Sequence, residues 1–153
     1  MTSPECVSVP HTWRPLGVRV VGAVAGLALV AVVAAVWIGF SNDVRAQFSL
    51  LQIITLILLG LLAFSVLFAL MRCRVSASEN ELLIVNGYRY YRLEWAQVVA
   101  VSLRRGAPWA SIDLSDGSTI SAMGIQSADG ARGIAAAREL KELAAQKSAP
   151  EPD

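Results

Sequence analysis

The sequence predicts an α+β membrane protein: an N-terminal two-helix transmembrane hairpin, then a small β-rich domain closed by a C-terminal α-helix. Three observations carry this. Two long apolar runs flank one short polar break, Ser41-Asn42-Asp43-Val44-Arg45. Charge is concentrated in the second half: residues 1–71 hold only Glu5, Arg14, Arg19, Asp43 and Arg45. After Arg74 the continuous apolar pattern gives way to short alternating runs separated by turn residues, followed by a stretch with helical spacing.

In chain order, residues 1–12 are polar, contain Pro4 and Pro10, and show no periodicity, which predicts a disordered tail. Cys6 precedes the first apolar run, whereas a lipid-modified lipoprotein cysteine follows one, so it reads as a free thiol. His11, the only histidine, reads as a solvated side chain of that tail. The hairpin is expected over 13–71, with Trp13 and Trp37 near the two membrane interfaces. Its first span covers about 16–40. The uncharged run 20–42 exceeds the roughly 20 residues that cross about 30 Å of hydrocarbon. It is also longer than the 7–15 residues typical of a signal-peptide core, which predicts a retained span. Gly22 and Gly26 share one helical face and permit close helix approach. The second span covers about 50–71, within the uncharged run 46–71.

Neither span contains Asp, Glu, Lys or His. Embedded ionisable groups mark ion pathways and proton relays, so the spans read as an anchor integral to the bilayer rather than a pump or transporter. Arg14 and Arg19 stand at the N-terminal side of the first span and Arg72 and Arg74 at the exit of the second, against the single Arg45 in the turn. The positive-inside rule then predicts a multi-pass protein of the cell membrane, with its N-terminus and C-terminal domain cytoplasmic.

The β-rich domain is expected over 72–147, and it is large enough for one small core. Strands are predicted over 73–77, 81–85, 88–93, 98–103, 109–114 and 118–123. Asn86-Gly87 marks a tight hairpin, because both turn positions need positive φ. Alternation places Tyr91 with Leu93, Val99 with Val101 and Leu103, Ala110 with Ile112 and Leu114, and Ile120 with Ala122. Trp95 is the best core aromatic. A helix over 129–146, capped by Ser127 or Asp129, presents Ile134, Ala137, Leu140 and Ala144 as its apolar stripe. Residues 148–153 are expected to be a tail.

Strands closed by one C-terminal helix form the layout of pleckstrin-homology (PH) domains. The segments Val75 to Val85, Tyr91 to Val98 with Trp95, Arg104-Arg105-Gly106-Ala107-Pro108-Trp109, Leu114 to Gly117 and Asp129-Gly130 resemble the bacterial PH-like family of actinobacterial membrane proteins. They are similar in particular to the group named after low-molecular-weight protein antigen 6, in which two membrane spans precede the domain. The resemblance covers about Trp13 to Ala145. It implies a PH-like β-barrel or sandwich in a membrane setting.

The sequence speaks against catalysis. Nucleophilic chemistry needs a base beside a Ser, Cys or Thr, and no histidine lies outside the expected tail. No catalytic, cofactor-binding or metal-ligating residues are assigned. Residues 72–153 carry equal numbers of acidic and basic side chains, which excludes the broad basic field of a nucleic-acid binder. What remains is a membrane-anchored binding or scaffolding module, with an unknown protein partner or self-association and Trp109 as the partner contact. The alternative is a sensor of anionic lipid headgroups through Arg104 and Arg105, with Arg72 and Arg74 as further lipid contacts. The expected first hairpin loop, Ser78-Glu79-Asn80-Glu81, is acidic and would repel such headgroups.

Overall fold

The structure is a computed structural model that describes residues 9–148. The chain divides into two compact units: Val18–Met71, and a domain built from the segments on either side of it. The order of elements is β1 (His11–Trp13), α1 (Leu16–Gly39), α2 (Asn42–Ala46), α3 (Leu50–Arg72), β2 (Arg74–Ala77), β3 (Glu81–Asn86), β4 (Arg89–Glu94), β5 (Val98–Ser102), β6 (Trp109–Leu114), β7 (Thr119–Gln126) and α4 (Ala131–Lys147).

In the helical unit, α1 and α3 are each long and apolar enough to cross a membrane. Most of their large aliphatic side chains are 37 to 74% exposed, with Val18, Ile53 and Leu67 half-buried. Gly22 and Gly26 are the buried positions of α1. A Cβ on Gly22 would meet the Met71 side chain at 3.0 Å, and one on Gly26 would meet Phe64 at 3.4 Å, so the small-residue face does receive α3. The polar break is a set of caps. The Arg45 guanidinium donates to the carbonyls of Trp37 and Ile38 at 3.1 and 2.8 Å, satisfying the end of α1 that has no further amide to meet. Ser49 and Gln52 hold the start of α3 reciprocally: the Ser49 amide donates to Gln52 Oε1 and the Gln52 amide to Ser49 Oγ. Trp37, Phe40 and Phe48 cluster with ring centroids 5.6 to 6.4 Å apart.

The domain consists of two antiparallel sheets, β1-β2-β3-β4 and β5-β6-β7, rather than a closed barrel. Every strand expected after Arg74 is present, and one more was not foreseen. His11, Thr12 and Trp13 pair with Ala77, Ser76 and Val75 as β1, so His11 and Thr12 belong to the sheet and not to a tail. Residues 1–8 and 149–153 of the two expected tails lie outside the described residues. The helices are thus inserted between the first and second strands of the sheet. They occupy the first hairpin connection, and Ser78 to Glu81 is the second. Trp13, expected at a membrane interface, is 6% exposed in the domain core, and its indole donates to Glu139 at 2.9 Å.

Val75, Leu82, Ile84, Ala110, Ile112, Ala122, Ile125 and Leu140 form the centre of this core. Trp95 is buried as expected, its indole donating to the Ser78 carbonyl. Two apolar positions face differently from the alternation. A bulge between Val98 and Ala100 interrupts the pairing with β6, so Val98 and Val101 turn inward and Val99 is 66% exposed. On α4 the buried positions are Gly133, Ala137, Leu140, Leu143 and Ala144, while Ile134 is exposed. Ala137, Leu140 and Ala144 are therefore buried as expected, and only the first position moves, from Ile134 to Gly133, where the helix comes so close to β7 that a Cβ would collide with the Gln126 carbonyl oxygen. Likewise, Gly124 of β7 passes against the backbone of Arg74 and Val75, leaving room for no side chain. Neither Ser127 nor Asp129 caps α4; its N-cap is Gly130 at φ +60°.

Candidate functional site

Strand register gives the domain two distinct ends. At one end the chain joins the helical pair, leaving β1 at Trp13 and re-entering at Arg74, the first residue of β2. Arg74 pairs with Val85, and Val85 with Tyr90, so the turn after Asn86 lies at this same end; its two residues are Gly87 and Tyr88, one later than expected, and only Gly87 has positive φ, because Asn86 still pairs with Arg89 in the strand. The Asn86 side chain ties this turn to β7, donating to the Ser121 carbonyl and accepting from the Met123 amide. The end of β7 brings Gln126 opposite Trp109, and the Ser127 amide donates to the Pro108 carbonyl. The loop carrying Arg104 and Arg105, and the first turn of α4 with Arg132, are therefore at this end too.

The opposite end holds the Ser78–Glu81 loop, the Glu81–Glu94 pair and the Asp116-Gly117 turn. There the Lys147 ammonium bridges to Glu79, the Ser148 hydroxyl donates to the Trp95 carbonyl, and the Ser115 amide donates to the Gln97 carbonyl. Asp116 accepts from both the hydroxyl and the amide of Ser118, at 2.7 and 2.8 Å. The hydroxyl bond first, and the amide bond second, hold its carboxyl below the ordinary carboxylate range.

The domain's charges thus resolve into two poles of opposite majority. Arg14, Arg72, Arg74, Arg89, Arg104, Arg105 and Arg132 gather where the chain meets the helices, together with Asp129 and Glu139, and Glu79, Glu81, Glu94 and Asp116 gather away from it with Lys147. Arg72, Arg104 and Arg105 are exposed and Arg74 is half-buried, so the four arginines singled out in the sequence share one end. Trp109 is there too, half-buried at the start of β6. The acidic loop expected to repel anions is at the other pole. Sequence reasoning missed Arg14, Arg89 and Arg132, because nothing in their local context shows that three separate segments converge. It also missed Tyr88 and Tyr90, 58 and 71% exposed beside Arg89.

One cleft opens at the basic end, between β1 and α4. It encloses about 460 Å³ and is lined by His11, Trp13, Arg14, Ile125, Arg132, Ala136 and Glu139 among others. The His11 and Trp13 rings lie 4.6 Å apart. Asp129 also lines it, and caps a helix other than the one expected: its two carboxylate oxygens accept from the amides of Leu16 and Gly17 at 3.2 and 2.9 Å, at the start of α1. A carboxylate suits that position, since it meets unpaired amides and the positive end of the helix dipole together. Among the described residues, no three His, Cys, Asp or Glu side chains are grouped to hold a metal ion.

Two sheets of four and three strands, with a C-terminal helix across them, are the layout of the expected family, and the comparison with protein families agrees. Residues 72–143 match the family model of the bacterial PH domain. The chain is also similar to uncharacterised proteins of Mycobacterium tuberculosis and Mycobacterium bovis, 37% identical over 79 residues. That stretch covers 52% of this chain and 50% of theirs, so the chain spans about half the length of the curated relatives it matches. No solved structure matches the chain. The family match begins at Arg72, so β1 lies outside the matched part and is joined to it by the pairing with β2 and by Trp13, which enters the core and donates to Glu139.

Proposed function

We propose that the protein is a membrane-anchored, non-catalytic binding or scaffolding module. In this reading the helical pair crosses the cell membrane with both ends cytoplasmic, and the PH domain meets its partner, or a second copy, at the cytoplasmic face. One observation carries it: the domain is attached at both β1 and β2, at the end that collects its arginines. Cations of this kind gain about 1 kcal/mol each beside an anionic cytoplasmic leaflet, and the acidic pole is left for other contacts.

The same observation favours a second reading, a sensor of anionic headgroups through Arg104 and Arg105 with Arg72 and Arg74 in support. Crosslinking of the full chain in native membranes separates the two. A protein recovered reproducibly, and lost with Trp109→Ala while Arg104→Glu/Arg105→Glu leaves it in place, is the outcome expected of a scaffold. Deuterium exchange of the β5–β6 loop in nanodiscs tests the alternative. Protection that appears only with anionic lipid and vanishes with Arg104→Glu/Arg105→Glu, with no protein recovered, would replace the first reading by the second. Both experiments need the full chain, because a fragment beginning at Arg72 lacks β1 and its core tryptophan. Topology is tested by reporters fused at each terminus, and activity of either on the outer side only would overturn the cytoplasmic assignment.

A further inference from the structure

We propose that β4 is a self-association edge, where a second copy of this chain adds its own β4 antiparallel and extends the four-stranded sheet across a two-fold axis. The inference deepens the self-association named above and rests on that reading. The two sheets leave four outer strands, and three are blunted. β1 has three residues and runs on into α1. β5 carries the bulge between Val98 and Ala100 and has α4 packed on it. β7 runs against β2 and β3, where the Asn86 side chain ties it down. In β4, by contrast, six residues from Arg89 to Glu94 pair with β3 in unbroken register, without Pro, Gly or a bulge. Such an edge is a template for another strand, because its outward N–H and C=O groups are unpaired.

The strand is complementary to itself. Its two-residue turn makes Asn86–Arg89 a hydrogen-bonded pair, so Arg89, Tyr91 and Leu93 direct their backbone groups to β3, and Tyr90 and Arg92 direct theirs outward. A two-fold register centred on Tyr91 joins these outward groups, Tyr90 of each copy with Arg92 of the other. It sets each exposed guanidinium over a tyrosine ring and brings the two half-buried Tyr91 side chains together. Centring on Arg92 would oppose two guanidinium groups and would need the Glu94 amide, which already donates to Gln97. Centring on Tyr90 pairs a shorter stretch. The charges of the two ends select a copy of this chain over an unrelated strand. Glu94 lies opposite Glu81 within the sheet, a like-charged pair that costs stability. An antiparallel second copy lays its own Tyr88–Arg89 end alongside that pair, basic pole against acidic pole. So short a ladder is weak between free domains, but two copies held in one bilayer meet at raised effective concentration.

Disulfide trapping tests the edge and its register together. Two differently tagged full-length copies are co-expressed, one with Tyr90→Cys and the other with Arg92→Cys, and isolated membranes are mildly oxidised. Hydrogen-bonded pairs hold Cα atoms about 5.5 Å apart, within disulfide reach. A link between the two copies is therefore expected above the background of wild-type chains, which keep Cys6 and Cys73. Neither variant should link to itself, because like positions lie on diagonals too long for the bond. Without cysteine substitutions, tagged wild-type copies should co-purify from membranes. Tyr90→Lys, which faces Arg92 of the other copy, should abolish this and leave the unfolding midpoint in place. Arg92→Pro should do the same, since it removes an outward N–H and no bond to β3. The proposal is overturned if the mixed link stays at background, if either variant links to itself more than to the other, or if both edge variants co-purify as the wild type does. A link from β4 to a different protein, with none to the second copy, overturns it as well. Recovery of a partner through Trp109 does not involve β4, so failure here leaves the scaffold reading standing. An external terminus in the reporter assay would overturn that reading and leave the mixed link in place.

Discussion

The helical pair and the PH domain use the same aliphatic residues in opposite ways. In α1 and α3 the Val, Leu and Ile side chains point outward and only glycines of α1 are buried. In the domain, Leu82, Ile84, Ile112 and Leu140 are wholly enclosed. A surface so apolar suits hydrocarbon, which is as good a solvent for leucine as another leucine, and fits the proposed membrane reading. The difference shows that the domain draws its stability from removing apolar area from water, and that within the helical pair the close approach is made at glycine.

Glycine substitutions should break this comparison most sharply. Gly133→Ala places a Cβ against the Gln126 carbonyl, a backbone atom that cannot swing aside. It should cost the domain about 4–5 kcal/mol, read as loss of cooperative unfolding in near-ultraviolet dichroism while the helical signal of α1 and α3 persists. Trp13→Ala comes next. It removes a core side chain and leaves Glu139 without its donor, at about 3–5 kcal/mol. A residue with an interfacial role alone would leave the thermal midpoint of the domain almost unmoved. Gly22→Ala meets the flexible tip of Met71 instead of backbone, and should cost below about 1 kcal/mol, visible only as easier separation of the helices in detergent.

The smallest effect concerns Asp116. Its carboxyl is held low in the folded state, so it binds protons less readily there than in the unfolded chain. Its stabilising contribution is therefore present at pH values above the ordinary carboxylate range and fades as pH falls through its lowered value. Asp116→Asn should remove that contribution, lowering stability slightly in the neutral region and not at the acid end, so that the acid limb of a stability–pH curve is flattened.

Much of the fold is legible in the sequence because its signals are local. Asn86-Gly87 and Asp116-Gly117 punctuate the strands, and Trp95 anchors a short connection between two sheets. Uncharged length alone marks the two spans. What escaped is whatever depends on distant partners. Three residues are too few to show a strand period, so β1 is visible only through its pairing with β2 across both helices. Asp129 reads as a cap for the helix that follows it, yet its carboxylate reaches back to α1. Val99 and Ile134 fit an ideal repeat until a bulge and a close glycine contact displace it. The arginines of the candidate site were partly legible, Arg72, Arg74, Arg104 and Arg105 by their clustering in sequence. Arg14 and Arg132 needed the register that brings β1 beside α4.

Placing the first strand ahead of the helices also sets an order of assembly. The four-stranded sheet cannot close until the ribosome has released β2, by which time both apolar segments have left it. In the proposed membrane reading, an even number of crossings is what returns β2 to the side of Trp13, because β1 and β2 pair. A chain that inserted one helix alone would, in that reading, hold its tryptophan across the bilayer from the pocket built for it. Joint placement of the two helices is then a condition for closing the sheet.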